Sequence, residues 1–209
     1  MNFAIWEHIS EMGVFYFIQT EGAYRLMEKD LLLIVDMQNI YTKGQEWACL
    51  DTEGAADRLL KIIDSNKCEE VIFTRFIADE NPTGIWKDYN VKYAHINSNE
   101  WGNQMLDKFN HVLTKYPLYT KGVYSSLAIP EVVEAARKAD RVIIGGVVAE
   151  CCVLSTVLAL IDAGIYTVYL TDGVSGFTKE KEAATELIFS GLSPLHVKMM
   201  TVDEYLKEE

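Results

Sequence analysis

Six short runs of the chain are dense in apolar or β-branched residues: LLLIVD at 31–36, EVIFTR at 70–75, PLYTK at 117–121, RVIIGG at 141–146, YTVYLTD at 166–172 and HVKMM at 196–200. Most are continuously apolar rather than alternating, the mark of a strand buried on both faces of a sheet. Segments of helical period lie between them. Residues 52–66 place Ala55, Leu59, Ile62 and Ile63 on one stripe, with Asp51 or Thr52 in front as a cap. Pro130 stands at a natural first helical position before EVVEAARKA. Residues 151–163 are apolar nearly all round and end at Gly164, and residues 179–190 end at Gly191, both in the place of a C-terminal cap. Strands alternating with helices in this rhythm predict right-handed βαβ units: an α/β fold of three layers, doubly wound around a six-stranded, mainly parallel sheet. Two stretches break the rhythm. Residues 76–100 read as a long connection with little periodicity, of the kind that forms lids or binding loops. Residues 1–26 read as a partly amphipathic helical extension, leaving 27–209 as one domain.

Composition narrows the function. The chain has 209 residues, 49% hydrophobic and 24% charged, which suits a globular domain with a sizeable core. Its formal charge of −12 repels phosphate backbones and anionic lipid, so neither nucleic acid nor a membrane surface is an expected partner. The four cysteines form no CxxC pair and the four histidines no HExxH or HxH spacing, so no metal is expected. No apolar run approaches the roughly 20 residues of a membrane span, and Arg25 is the first basic residue, which does not fit a signal peptide; a cytoplasmic location is expected.

Doubly wound sheets bind ligands beyond the carboxyl ends of their strands. The first strand is followed by Met37-Gln38-Asn39 with no glycine, so the phosphate-binding turns of dinucleotide and NTP enzymes are missing and no cofactor is expected. Three strand ends instead offer reactive groups. Asp36 closes the first run and could act as a general base; alone, it also reads as a loop-initiating residue. Lys121 closes the third, where alone it reads as a solvated lysine. Cys151 and Cys152 open the helix after the fourth, where helix-terminal N–H groups favour a thiolate. A carboxylate, an ammonium and a thiol at one mouth form a nucleophile with its base and charge stabiliser.

Three segments, LLLIVDMQN, YTKGVYSSL and GGVVAECCVLSTVLALIDAG, resemble the signature segments of the isochorismatase-like cysteine hydrolase family, in the right order and on the expected elements. The resemblance implies an aspartate–lysine–cysteine triad at Asp36, Lys121 and Cys152. The family pattern G-V-x-(T/A)-(D/E)-x-C-V falls on Gly146–Val153, which puts Cys151 at the variable position. It further implies an oxyanion hole from the backbone N–H groups of Val148 and Cys152, presented by a cis peptide between Val147 and Val148.

Departures from the family bear on the substrate. Nicotinamidases carry a DxHxxH-like metal site after the first strand, where this chain has IYTKGQEWACLDTEG without histidine. Family members that cleave the isochorismate ether do not use the cysteine. The expected activity is therefore metal-free, cysteine-dependent hydrolysis of a C–N bond in a small amide, ureido or carbamoyl compound through a thioester. The alternatives are an isochorismate-type hydrolase and a catalytically silent binding or scaffold protein of the same fold. By position, Tyr41, Trp86 and Tyr124 are expected to bind substrate, and Arg75 to meet either a substrate carboxylate or an acidic neighbour. A homo-oligomer is expected, with residues 14–18 as packing or subunit contact.

Overall fold

The structure, a computed structural model, describes residues 29–208; the expectations for residues 1–26 lie outside them. Six strands form one all-parallel sheet: β1 (Asp30–Val35), β2 (Glu70–Phe76), β3 (Leu118–Lys121), β4 (Arg141–Val147), β5 (Thr167–Ser175) and β6 (Val197–Met200), in the order β3-β2-β1-β4-β5-β6. This is the doubly wound order, with its reversal between β1 and β4.

The continuous apolar character of β1 has a direct explanation. Leu32 and Ile34 enter one core with Leu59 and Ile62 of α1 (Thr52–Ser65) and Tyr205 of α8 (Val202–Lys207). Leu31, Leu33 and Val35 enter the other, with Val132 of α5 (Pro130–Lys138), Val157 of α6 (Leu154–Asp162) and Phe189 of α7 (Lys179–Ser190). Successive side chains of a strand point to opposite faces, so a sheet covered on both sides needs apolar residues at every position.

The helix ends follow mostly from local chemistry. Asp51 accepts from the Gly54 N–H at 3.2 Å and caps α1, which ends at Asn66 in the left-handed region (φ 54°). Gly164 takes φ 76° after α6, as expected of a C-terminal cap, whereas Gly191 sits at φ −72°, in the right-handed helical region. Two expectations are corrected further. The connection at 76–100 contains α2 (Trp86–Lys92) and α3 (Ala94–Asn97), with α4 (Asn110–Leu113) following later. The helix expected from residue 151 starts earlier and differently, as a π-turn over Ala149–Val153 that continues into α6. Among the described residues, no helix is long and apolar enough to cross a membrane.

Candidate active site

β1 and β4 pair in parallel at the sheet's reversal point, where Val35 lies opposite Gly146. A Cβ at Gly146 (φ 118°) would lie 2.1 Å from the Val35 carbonyl oxygen, so only glycine fits there. One residue further on, the Val147–Val148 peptide bond is cis, and the chain then enters the π-turn that carries Cys152. On the neighbouring strand, Asp36 leaves β1 with φ 52°, its N–H donating to the Thr74 carbonyl at 3.0 Å. A non-glycine residue in this region is uncommon, and such outliers concentrate at functional sites.

Asp36, Lys121 and Cys152 come together where these elements end. Lys121 reaches from edge strand β3 past β2 to β1, two interstrand steps or about 9.5 Å, a span that suits a long flexible side chain. Its Nζ donates to Asp36 Oδ2 at 2.5 Å and to the Val123 carbonyl at 3.2 Å, and lies 5.7 Å from the Phe76 ring centre. Both side chains of the pair have no exposed surface, so Lys121 is not a solvated lysine. Thr74 Oγ1 donates to the second oxygen, Asp36 Oδ1, at 2.9 Å. The turn bearing Cys152 is anchored by Thr156, whose Oγ1 donates to the Cys152 carbonyl at 2.7 Å and accepts the Ser126 N–H at 3.0 Å.

The electrostatics revise one expectation. Burial pushes the Cys152 thiol well above its ordinary pKa, and the Asp36 charge adds to this; Lys121 opposes both without outweighing them. The resting sulfur is therefore a thiol rather than the thiolate that its helix-terminal position suggested. Burial alone would lower Lys121, but the Asp36 charge and the hydrogen bond to it outweigh burial and hold the ammonium above the ordinary lysine value. A consequence is measurable. The carbamidomethylation rate at Cys152, followed by peptide mass spectrometry, should climb about tenfold per pH unit from pH 6 to 9. A plateau below pH 7 would instead indicate a ground-state thiolate–ammonium pair.

A cavity of about 430 Å³ opens above Cys152, lined in part by Tyr41, Tyr124 and Val148. The structure thus brings Tyr41, Tyr124, Val148 and Cys152 to one wall system. It does not bring Trp86 there. Trp86 packs edge-on against Tyr124 (5.0 Å between ring centres) and Tyr89 (5.1 Å), and lines a smaller cavity of about 270 Å³ on the Lys121 side. Arg75 donates to Thr120 Oγ1 at 2.9 Å and does not line the larger cavity. Sequence reasoning missed Glu46, Trp47, Tyr89 and Tyr93. The available signal was position: Glu46 and Trp47 follow the first strand, on the side where such sheets bind ligands. Gln38, which follows Asp36 closely, has a different task. It accepts the Phe76 N–H at 2.8 Å and donates to the Phe76 and Asn103 carbonyls at 3.0 Å each, tying the loop to the end of β2.

Among the described residues, no group of three or more His, Cys, Asp or Glu side chains could hold a metal ion; His95 hydrogen-bonds Glu46 at 2.9 Å instead. The residues present do not form a ligand set.

Solved structures share this architecture. A cysteine hydrolase from Pseudomonas syringae pv. phaseolicola superposes with a TM-score of 0.72 at 16% identity, covering 86% of this chain and 91% of that one. A pyrazinamidase of Pyrococcus horikoshii in complex with zinc gives 0.66 at 19% identity, covering 83% and 99%. The MAR1 ribonuclease from Caenorhabditis elegans gives 0.65 at 16%, covering 86% and 80%. Relatives this distant, with such different names, establish the fold and leave the substrate to the site. No curated protein matches the chain. The isochorismatase domain model, however, matches residues 30–203 of the 209, and the chain belongs to that hydrolase family.

Proposed function

We propose that this hydrolase cleaves a C–N bond in a small amide, ureido or carbamoyl compound through a thioester on Cys152. The observation that carries the reading is the buried Asp36–Lys121 pair, 2.5 Å apart, beside Cys152, which lines a cavity of about 430 Å³ and whose burial favours the protonated thiol.

The chemistry follows from that protonation state. As Cys152 Sγ attacks the carbonyl carbon, its proton passes to the Asp36 carboxylate, so thiolate forms only when it is consumed. Lys121 stays protonated and offsets the negative charge that moves between Asp36, sulfur and substrate. The carbonyl oxygen becomes an oxyanion, for which the N–H groups of Val148 and Cys152 are the donors. Collapse of the tetrahedral species breaks the C–N bond. Asp36 returns its proton to the leaving nitrogen, which departs as ammonia or an amine. Water then adds to the thioester, losing a proton to Asp36, and thiol is regenerated with release of the acid.

The test is a panel of small primary amides, ureides and carbamoyl compounds, assayed for ammonia release and quenched in acid for intact-protein mass spectrometry. An acyl adduct mapped to Cys152, in the presence of a substrate that releases ammonia, is the expected result. Turnover without any adduct under single-turnover conditions would favour direct hydrolysis of the isochorismate type. No turnover of any member would favour a silent scaffold.

A further inference from the structure

The walls of the cavity say more about the substrate than its size does. Trp47 stands at 73° to Tyr93, with ring centres 5.4 Å apart, but only 21° from Tyr41 at 6.1 Å. Tyr89 is 55° from Tyr93 at 4.8 Å and 85° from Tyr124 at 6.4 Å. Rings set at such varied angles line the cavity as a cluster rather than as the two parallel walls that would grip a flat ring. Clusters of aromatic rings attract compact cations, because each ring presents the negative face of its quadrupole.

Charge points the same way. Among the described residues lining this cavity, Glu46 is the only Asp or Glu, one of its oxygens hydrogen-bonded to His95 from outside the lining, and there is no lysine, arginine or histidine. The Lys121 ammonium is engaged by Asp36 and the Val123 carbonyl; Lys181, over the Phe177 ring, pairs with Glu150 at 3.3 Å, and Lys92 stands over the Tyr93 ring, neither lysine lining the cavity. Burial raises the pKa values of Tyr41, Tyr89 and Tyr124, so these phenols remain neutral and their rings keep an ordinary quadrupole. The chain's formal charge of −12 adds a field that draws cations towards the surface.

We propose that the cavity selects an amide whose acyl or leaving part carries a compact cationic group, a quaternary or protonated amine, held by the cluster of aromatic rings and Glu46. The proposal rests on the hydrolase reading above for its reacting bond, but the recognition it describes can be measured without turnover.

Two isosteric probes separate charge from shape: 2-(trimethylammonio)acetamide and the neutral 3,3-dimethylbutanamide. Each is titrated calorimetrically into the Cys152→Ala protein at pH 8 and constant ionic strength. Tetramethylammonium, which carries no scissile bond, is titrated into the wild type as a check that does not depend on the variant. The expected result is about tenfold or greater preference for the cationic amide, with Glu46→Gln and Trp47→Leu each cutting that preference severalfold. Tetramethylammonium should bind the wild type and lose affinity in Glu46→Gln. Equal binding of the two amides, tighter binding of the neutral one, or no binding of either cation overturns the proposal. A preference that survives both substitutions also overturns it. The two readings fail separately. Cation preference without ammonia release from any amide keeps the recognition site and removes the hydrolase reading. Rapid hydrolysis of neutral amides without cation preference does the reverse.

Discussion

Cys152→Ala is expected to lower ammonia release on any substrate of this enzyme by about a thousandfold or more, while Cys151→Ala stays within a few fold of wild type. The two cysteines are chain neighbours and both line the cavity, yet their surroundings differ. Cys152 is 3% exposed, and its thiol interacts with both Asp36 and Lys121. Cys151 is half-buried; its thiol is raised by burial and by Glu150, and is opposed only by Lys181. A nucleophile needs a base in contact to take its proton; Cys152 hydrogen-bonds Asp36, whereas Cys151 feels Glu150 only as a nearby charge. The measurement is the single-turnover rate of each variant on the best substrate of the panel. If Cys151→Ala were inactive and Cys152→Ala active, the assignment of the nucleophile would be reversed. Similar large losses in both would point to the π-turn itself, because either substitution alters it.

Lys121→Met should cost about 3–5 kcal/mol of folding stability, as well as activity, because it leaves the Asp36 carboxylate buried without its partner. Methionine keeps most of the stem's volume, so the loss reports the charge rather than a cavity. Chemical denaturation measures it, and the double variant Asp36→Asn/Lys121→Met should recover part of the loss, since neither remaining group is then charged. A loss under about 1 kcal/mol in the single variant would mean that water reaches Asp36 and that the pair is not sealed. The pH dependence has a definite sign. The folded pKa of Lys121 is raised above the unfolded one, so its contribution is complete below the ordinary lysine range. That contribution disappears only as pH climbs through the raised value. The Cys152 thiol, also raised, loses its contribution in the same direction, above the ordinary thiol range. Wild-type stability should therefore fall on the alkaline side, and more steeply than in Cys152→Ala.

Much of the sheet could be read from local pattern. Leu31 to Val35 face two cores in turn, which is why no polar residue interrupts them, and the same reasoning locates β2, β4 and β5. The meeting of Asp36, Lys121 and Cys152 was also readable, since each lies at or just after the carboxyl end of a strand and the doubly wound order converges those ends. What escaped depends on contacts between segments distant in sequence. The helices at 86–97 bury little: α2 has no buried residue and α3 only Ile96, so no apolar stripe announces them. The π-turn at 149–153 is a backbone register, to which apolar periodicity is blind. Trp47, Tyr89 and Tyr93 come from a loop and from α2 with its end, and form a wall only after both settle over the sheet. Trp86 carries the same chemistry one turn earlier in α2, but its ring backs Tyr89 and Tyr124 instead of facing the cavity. The sign of the Cys152 shift was hidden for a related reason. A helix terminus is local, whereas the burial that overrides it is a property of the whole fold.

The position of Lys121 puts the candidate site's cation on an edge of the sheet. β3 is an edge strand of four residues, Leu118–Lys121, paired on one side only, and its first three residues are partly or fully exposed. Short, exposed elements open locally at a free energy well below that of global unfolding. Asp36 and Cys152, by contrast, follow the central strands β1 and β4, so the cation comes from the edge of the sheet and the carboxylate and thiol from its middle. Opening of β3 would therefore take the cation away without disturbing either core.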